Sequence, residues 1–353
     1  MKITEKLLEN AGAASVLITD PVNMRYISGF RGGEGALYIS KERNVLITDS
    51  RYTEAAAKES DFEVVELTRE NKLSKIIADC LSRDGSSKLA YEDRSMICSD
   101  FFSLKESLGK DICWTALGAK VDDLRRVKTP EEMEKMAAAA AIADKAFSEM
   151  LSVIKPGMTE KEGAAELEYR MRRQGAEGTS FDTIFASGIH SSMPHAIPSD
   201  KKLETGDFIT MDFGCKVDGY CSDMTRTIVL GRASDKQREI YELVLKANTE
   251  ALKAVKAGVV GRDIDAIARN IIKDAGYGQY FGHGLGHSVG LRIHEDPRFS
   301  PVEEAVIEEN VIETVEPGVY IPGFGGVRIE DMIAVTKDGY RLFSHSEKKL
   351  IEL

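Results

Sequence analysis

At 353 residues the chain is longer than a single hydrophobic core usually supports, so two domains are expected. Its composition, 42% hydrophobic and 30% charged, is that of an ordinary globular protein. The formal net charge of −11 works against a phosphate-tracking basic surface and against binding to an anionic membrane, so neither nucleic acid nor membrane is expected as a partner. The first twenty residues, MKITEKLLENAGAASVLITD, contain no apolar signal core and no cleavage site, and no apolar run approaches the about 18 residues of a membrane span. Cys80, Cys98, Cys113, Cys215 and Cys221 are odd in number and lack CxxC spacing, which suits free thiols in a reducing compartment. A cytoplasmic location follows as the expectation.

Residues 1–120 alternate β-rich runs at 15–20, 36–40, 44–49 and 62–67 with helical patterns at 51–59 and 71–82. The short link between Ser40 and Asn44 suits a hairpin, and this part is predicted to be a small α/β domain. The boundary falls within 122–130, dividing the chain into 1–125 and 126–353. Thr129-Pro130-Glu131-Glu132 has a capping residue, proline at the first helical position and a reciprocal glutamate, so a helix starts there and runs to about Leu151. Thr159 to Glu162 repeats the capping box for a helix ending near Gly175. Further helices are predicted from Ser234 to about Gly258 and over 263–275, with strands at FITMDFG, TRTIVL, VIETVEP and VRIEDMIAV. The second domain is therefore expected to be α+β.

The chemistry concentrates in three segments. In the first, Asp218-Gly219 is a hairpin signal, because a type I′ turn needs positive φ at both central residues. Counting outward puts Val217 opposite Tyr220 and Asp212 opposite Thr225, so Asp223 shares the face of Asp212 on the diagonal. Two carboxylates held together repel unless a cation or a proton lies between them. A bulge would invert this parity, and a solvated strand end is the plain alternative for either aspartate. In the second segment, 282–295, His283, His287 and His294 make up half of the chain's six histidines. HxxxH would suit a helical zinc pair, but Gly282, Gly284, Gly286 and Gly290 favour an extended or looping backbone. In the third, Glu316 and Glu330 interrupt apolar β-runs, where a carboxylate is costly unless paired or bound to metal. An ion pair with Arg328 is the alternative for Glu330. Four carboxylates and one imidazole form an oxygen-rich set that suits Mn²⁺, Co²⁺ or Zn²⁺ and carries enough charge for two ions.

With these residues assembled, the chain resembles the metallopeptidase family of aminopeptidase P, prolidase and methionine aminopeptidase, which share the pita-bread fold. The resemblance rests on residues 283–295 (HGLGHSVGLRIHE) and on MDFG, SDMTRT, EPGVY and RIED, in the order Asp, Asp, His, Glu, Glu. ISGF at 27–30 and TDSRY at 48–52 resemble the creatinase-type N-terminal domain, which methionine aminopeptidases lack, so the proline branch is favoured. The implied architecture is α+β, a pita-bread catalytic domain at 126–353 preceded by a smaller α/β creatinase-like domain at 1–125.

The resemblance implies that Asp212 and Asp223 hold one metal ion, that His287 and Glu316 hold the other, and that Asp223 and Glu330 bridge them. It implies two divalent ions, Mn²⁺ by preference, and a homodimer. Glu316 is then the proton carrier for water activated between the ions. His195 and His294 stabilise the tetrahedral intermediate and contact the substrate, His283 lines the same pocket, and Arg328 orients Glu330. The expected substrates are small peptides with proline second, cleaved by an Xaa-Pro aminopeptidase. The alternative is an Xaa-Pro dipeptidase, in which Arg298 would hold the free carboxylate; the plain reading of Arg298 is a loop arginine paired with Glu295 or Asp296. Two further alternatives are a non-catalytic binding protein on the same fold and a metal-free creatine-type amidinohydrolase.

Overall fold

Alternating apolar residues in the first third of the chain build a sheet buried on both faces. In the computed structural model, which describes residues 2–353, the strands Ser15–Ile18, Ala36–Ser40, Asn44–Asp49 and Glu63–Leu67 join Lys88–Tyr91 and Cys113–Ala116 in one sheet. The order across it is 63–67, 44–49, 36–40, 15–18, 88–91, 113–116. The 36–40 and 44–49 strands form the antiparallel hairpin expected from their short link, and the outer pairs are parallel. Val16, Ile18, Leu37, Ile39 and Leu46 pack on one face with Leu7 and Met24. Leu17, Tyr38, Val45 and Ile47 pack on the other with Ile76, Ile77 and Leu81. This two-sided burial is what the period of two dictates when helices cover both faces. Backbone packing divides the chain into two units, Met1–Arg125 and Arg126–Leu353.

The second unit is built from two helix pairs, each backing a sheet. Thr129 starts the helix Pro130–Met150 with a reciprocal capping box: its hydroxyl accepts from Glu132 N at 3.3 Å, and Glu132 accepts from Thr129 N at 2.7 Å. Such caps contribute about 1 kcal/mol each. The helix Glu160–Arg173 follows, and both pack over the sheet 224–229, 208–213, 184–187 through Ala143, Phe147, Leu167, Phe185, Ile209 and Met211. Each of the larger side chains among these, fully buried, contributes about 1.5–3 kcal/mol. The helices Asp235–Ala254 and Gly261–Asp274 back a five-stranded sheet ordered 295–299, 286–288, 312–315, 331–336, 339–342. Val244, Ala247, Ala251, Ile264 and Ala268 meet Val315, Ile333 and Val335 there. The mixture of helices and mostly antiparallel strands is the expected α+β arrangement.

One predicted strand is different. VRIEDMIAV forms two strands, Gly325–Arg328 and Asp331–Thr336, with a break at Ile329-Glu330. The break has tertiary causes: Ile329 N donates to Pro317 O and Glu330 N donates to Thr225 O at 3.1 Å, so this backbone turns away from the ladder. Strands at 184–187, 295–299, 318–321 and 339–342, not singled out from the sequence, complete the sheets.

Candidate metal centre

The hairpin counted from Asp218-Gly219 is present, with φ of 47° and 76° at the two turn residues. Val217 pairs with Tyr220 and Lys216 with Cys221, while Asp212 pairs with Thr225 and Phe213 with Met224. Between these stretches Ser222 N donates to Cys215 O at 2.8 Å, which keeps the register without a bulge. Gly214 makes the close approach possible, because a Cβ there would lie 1.8 Å from Ser222 O. Asp212 and Asp223 therefore project from one face.

The glycine-rich segment is extended, as expected, and Gly286–Ser288 forms a central strand of the five-stranded sheet. A Cβ on Gly286 would lie 1.9 Å from Thr314 O, so glycine is needed to seat His287 against the neighbouring strand. His287 N donates to Thr314 Oγ1 at 3.1 Å. Glu316 lies just past the strand Ile312–Val315, and its N donates to Leu285 O at 2.8 Å. Glu330 sits in the break described above, not within a strand.

These elements bring Asp223, His287 and Glu330 together, with one donor atom from each within 4.8 Å of the others. His287 Nε2 is 3.6 Å from Asp223 Oδ2 and 3.4 Å from Glu316 Oε1. Its Nδ1 lies 3.1 Å from Ser288 O, an acceptor only, so Nδ1 carries the hydrogen and Nε2 presents a lone pair. Burial, then the charge of His294, pushes His287 down to about 3, which keeps the ring neutral as metal ligation requires. The carboxylates show the opposite effect. Burial, then Glu330, Asp212 and Glu316, raises Asp223 well above the ordinary range. Burial, then Glu316 and Asp212, does the same to Glu330. Burial first, with Asp212 adding to it against the opposing charge of Arg328, pushes Glu316 up to about 8.

Asp212 Oδ1, Asp223 Oδ1 and Glu330 Oε1 are buried with no protein hydrogen-bond donor. Buried carboxylate oxygens without donors, a neutral imidazole lone pair and strong mutual repulsion together fit a divalent-cation site.

Arg328 organises one side of this cage. It donates to Asp212 Oδ2 at 2.5 Å, to Thr225 Oγ1 at 3.0 Å and to the Tyr320 hydroxyl at 2.8 Å. Thr225 in turn donates to Glu330 Oε2 at 2.6 Å. Arg328 does not pair with Glu330 directly; it orients Asp212 itself and Glu330 through Thr225. Since arginine only donates, the Tyr320 oxygen accepts, and its proton goes to His283 Nε2, 2.9 Å away. His283 Nδ1 then donates to Gly284 O at 2.7 Å. Both ring nitrogens of His283 are thus occupied within the protein. Its pKa is pushed down to about 4 by burial and then by Arg328.

The other predicted residues lie at the open side. His294 is exposed, and its ring packs edge-on against His287 with centroids 4.4 Å apart. Partial burial, then the charges of Arg298 and His195, holds it below the ordinary imidazole range. His195 is exposed and near enough for its charge to act on both His283 and His294. Arg298 is the cross-strand partner of His287, is half exposed, and has Asp296 Oδ1 3.3 Å from its Nε. Sequence reasoning does not single out Thr225 or Tyr320. The signal for Thr225 is its place opposite Asp212, and for Tyr320 its place at the end of EPGVY.

Residues 134–337 match the model of metallopeptidase family M24, and residues 2–127 match that of the creatinase/prolidase N-terminal domain. An Xaa-Pro dipeptidase of Pyrococcus furiosus is 40% identical, over 98% of this chain and 97% of its own. The structure of an Xaa-Pro dipeptidase from Bacillus anthracis matches at a TM-score of 0.95, with 43% identity over 99% of both chains. An X-Pro aminopeptidase from Thermotoga maritima matches at 0.93, with 38% identity over 99% of this chain and 100% of that one.

Proposed function

Because the chain belongs to metallopeptidase family M24, and is therefore a metal-dependent enzyme of peptide hydrolysis, we propose that it is an Xaa-Pro dipeptidase. The preference read from sequence, for an aminopeptidase acting on longer peptides, is reversed here. Relatives that carry the dipeptidase name over nearly the whole chain favour the narrower activity. The observation that carries the reading is Arg298. A dipeptide places its free carboxylate beside the proline, and Arg298, half exposed on the strand facing His287 and paired with Asp296 at its Nε as the plain reading has it, would supply a cation there from the rest of its guanidinium.

In this reading Asp212, Asp223, His287, Glu316 and Glu330 would hold two divalent ions. Mn²⁺ suits this thiolate-free set, with Co²⁺ and Zn²⁺ as the other candidates. When bound, such ions supply Lewis acidity that makes water nucleophilic near neutral pH and polarises the scissile carbonyl. Glu316 takes the proton of the attacking water at its carboxylate and delivers it to the proline nitrogen, which has no N–H of its own. His195 and His294 donate to the oxygen on which charge develops. Arg328 and His283 work behind these groups: Arg328 aims the Asp212 and Glu330 oxygens, and His283 fixes Tyr320.

No helix among the described residues is long and apolar enough to cross a membrane. A cytoplasmic homodimer is the proposed form, checked by fractionation and light scattering.

The test is a panel of Xaa-Pro dipeptides and the matching Xaa-Pro tripeptides, assayed with Mn²⁺, Co²⁺ and Zn²⁺ in turn. Dipeptides should be cleaved and tripeptides spared, and Arg298→Ala should raise KM for dipeptides while leaving metal content unchanged. Equal cleavage of both lengths, with Arg298→Ala kinetically silent, would return the assignment to an aminopeptidase.

A further inference from the structure

We propose that Glu160 is a positioning residue for His195: its buried carboxylate ties together the two ends of the segment 187–199, which carries His195 at its exposed tip. This rests on the substrate-facing role given to His195 above. Glu160 is the first residue of the helix Glu160–Arg173, yet it takes no part in the cap, which Thr159 and Glu162 complete between themselves. Its side chain is fully buried and points instead at the loop.

One oxygen, Oε1, accepts from Ser187 N at 2.7 Å and Ser187 Oγ at 2.8 Å. The other, Oε2, accepts from Ser199 N at 3.1 Å and Ser199 Oγ at 2.6 Å, and lies 3.1 Å from His190 Nδ1. The backbone adds to the clamp, with Glu160 N donating to Lys201 O and Lys161 N to Ser199 O, each at 3.1 Å. Burial opposes ionisation, but the Ser199, His190 and Ser187 hydrogen bonds hold the carboxyl below the ordinary glutamate range. Glu160 is therefore an anion with both oxygens engaged, a stronger tie than neutral hydrogen bonds provide.

Ile189, Met193 and Ile197 are exposed, Ile197 at 87%, so the tip is not held by apolar packing. The base of the loop is also held by the strand pairing of Ser187 with Ile209, by Lys201 Nζ donating to Ser187 Oγ at 3.0 Å, by the buried Ser191 and Ala196, and by Gly326 N donating to Ser191 Oγ at 2.9 Å. A side chain at such a tip keeps its aim only as well as the base of the loop is fixed.

A double-mutant cycle separates positioning from general stability. His195→Ala should lower kcat/KM for a Xaa-Pro dipeptide by about 10²–10³-fold, the scale for losing one donor to a developing oxyanion. Glu160→Gln should cause a large part of that loss at unchanged metal content. In the His195→Ala background it should cost less than about 2-fold, which is the scatter of such cycles, so the two effects would be coupled and not additive. A loss in that background equal to the loss in wild type overturns the proposal. Should Glu160→Gln not fold, Ser199→Ala, which removes one donor only, takes its place in the cycle. Hydrogen exchange on the metal-loaded protein gives a readout independent of activity. Faster exchange confined to 187–199 in the Glu160 variant supports the clamp, and unchanged exchange there overturns it. If His195→Ala keeps wild-type activity, the catalytic reading of His195 fails, and exchange alone then decides whether Glu160 holds the loop.

Discussion

Two buried carboxylate sites, one in each unit, look alike by burial and differ in how their oxygens are satisfied. Glu92 in the N-terminal unit is 4% exposed, and burial raises its pKa. Its Oε2 accepts from Thr19 N at 2.6 Å and Asp20 N at 2.8 Å, and its Oε1 accepts from Asn23 Nδ2 at 2.7 Å. It caps the turn that enters the helix Pro21–Ser28 and needs no cation. Asp223 and Glu330 are equally buried, but each keeps an oxygen with no donor while other carboxylates crowd it. Burial and a raised pKa thus do not point to a metal site by themselves; unmet acceptors converging on one point are what fit a cation. Glu313 sharpens the criterion: neither of its oxygens has a donor, yet it joins no metal-binding group among the described residues. Its carboxyl is held strongly towards the neutral form by burial.

The largest test of this contrast exchanges an acid for its amide at both sites. Asp223→Asn should lower bound metal and reduce activity by more than the about 10–100-fold typical of losing an outer partner of a metal ligand. Glu92→Gln should leave metal content and kcat unchanged and cost about 1–3 kcal/mol of stability, because an amide N–H₂ then faces other donors. Metal loss in the Glu92 variant, measured by elemental analysis, would erase the distinction. Next in size is Arg328→Lys. A lysine keeps the charge but cannot serve Asp212, Thr225 and Tyr320 together, so metal affinity or activity should fall by about 10–100-fold. Affinity unchanged in a competition titration would show that the fork geometry is unimportant.

The smallest expected effect is on stability against pH. In metal-free protein Asp223, Glu316 and Glu330 hold protons that the unfolded chain has already lost, for Glu316 between its ordinary value of 4.5 and about 8. The native state binds more protons in that window, so this contribution to stability is full below it and is lost as pH rises through it. Divalent ions relieve the same repulsion. The increase in Tm on adding Mn²⁺ should therefore be larger at pH 8 than at pH 5, and the difference should persist in Glu92→Gln. An equal increase at both pH values would mean that the cage carboxylates are not what the ion neutralises.

Much of the cage is legible in the sequence because its geometry is local. Asp218-Gly219 sets the hairpin, and counting from it puts Asp212 opposite Thr225 without any tertiary information. The break at Ile329-Glu330 is not legible, because Val327, Ile329, Ile333 and Val335 keep the strand period on either side of Glu330-Asp331 and the turn away comes from Pro317 and Thr225, distant in sequence. The Arg328, Thr225 and Tyr320 network is hidden for the same reason. Glu160 is concealed inside a helix-start signal that Thr159 and Glu162 explain fully. His287 stands out among the histidines only by family resemblance; in the folded chain it is the one whose free nitrogen faces Asp223 and Glu316.

The proposed ligands of this cage are far apart along the chain: the hairpin at 212–223, His287 beyond the helices Asp235–Ala254 and Gly261–Asp274, and Glu316 and Glu330 after it. An ion held by Asp223, His287 and Glu330 would therefore act as a removable staple. To unfold with the ion in place, the chain would have to keep long loops closed, at an entropic cost that freeing the ion avoids. Handling follows from this. Chelators in a purification buffer would remove cross-links as well as activity, and brief exposure to EDTA should make the catalytic unit easier to digest while the N-terminal unit, which contributes no ligand, stays as resistant as before.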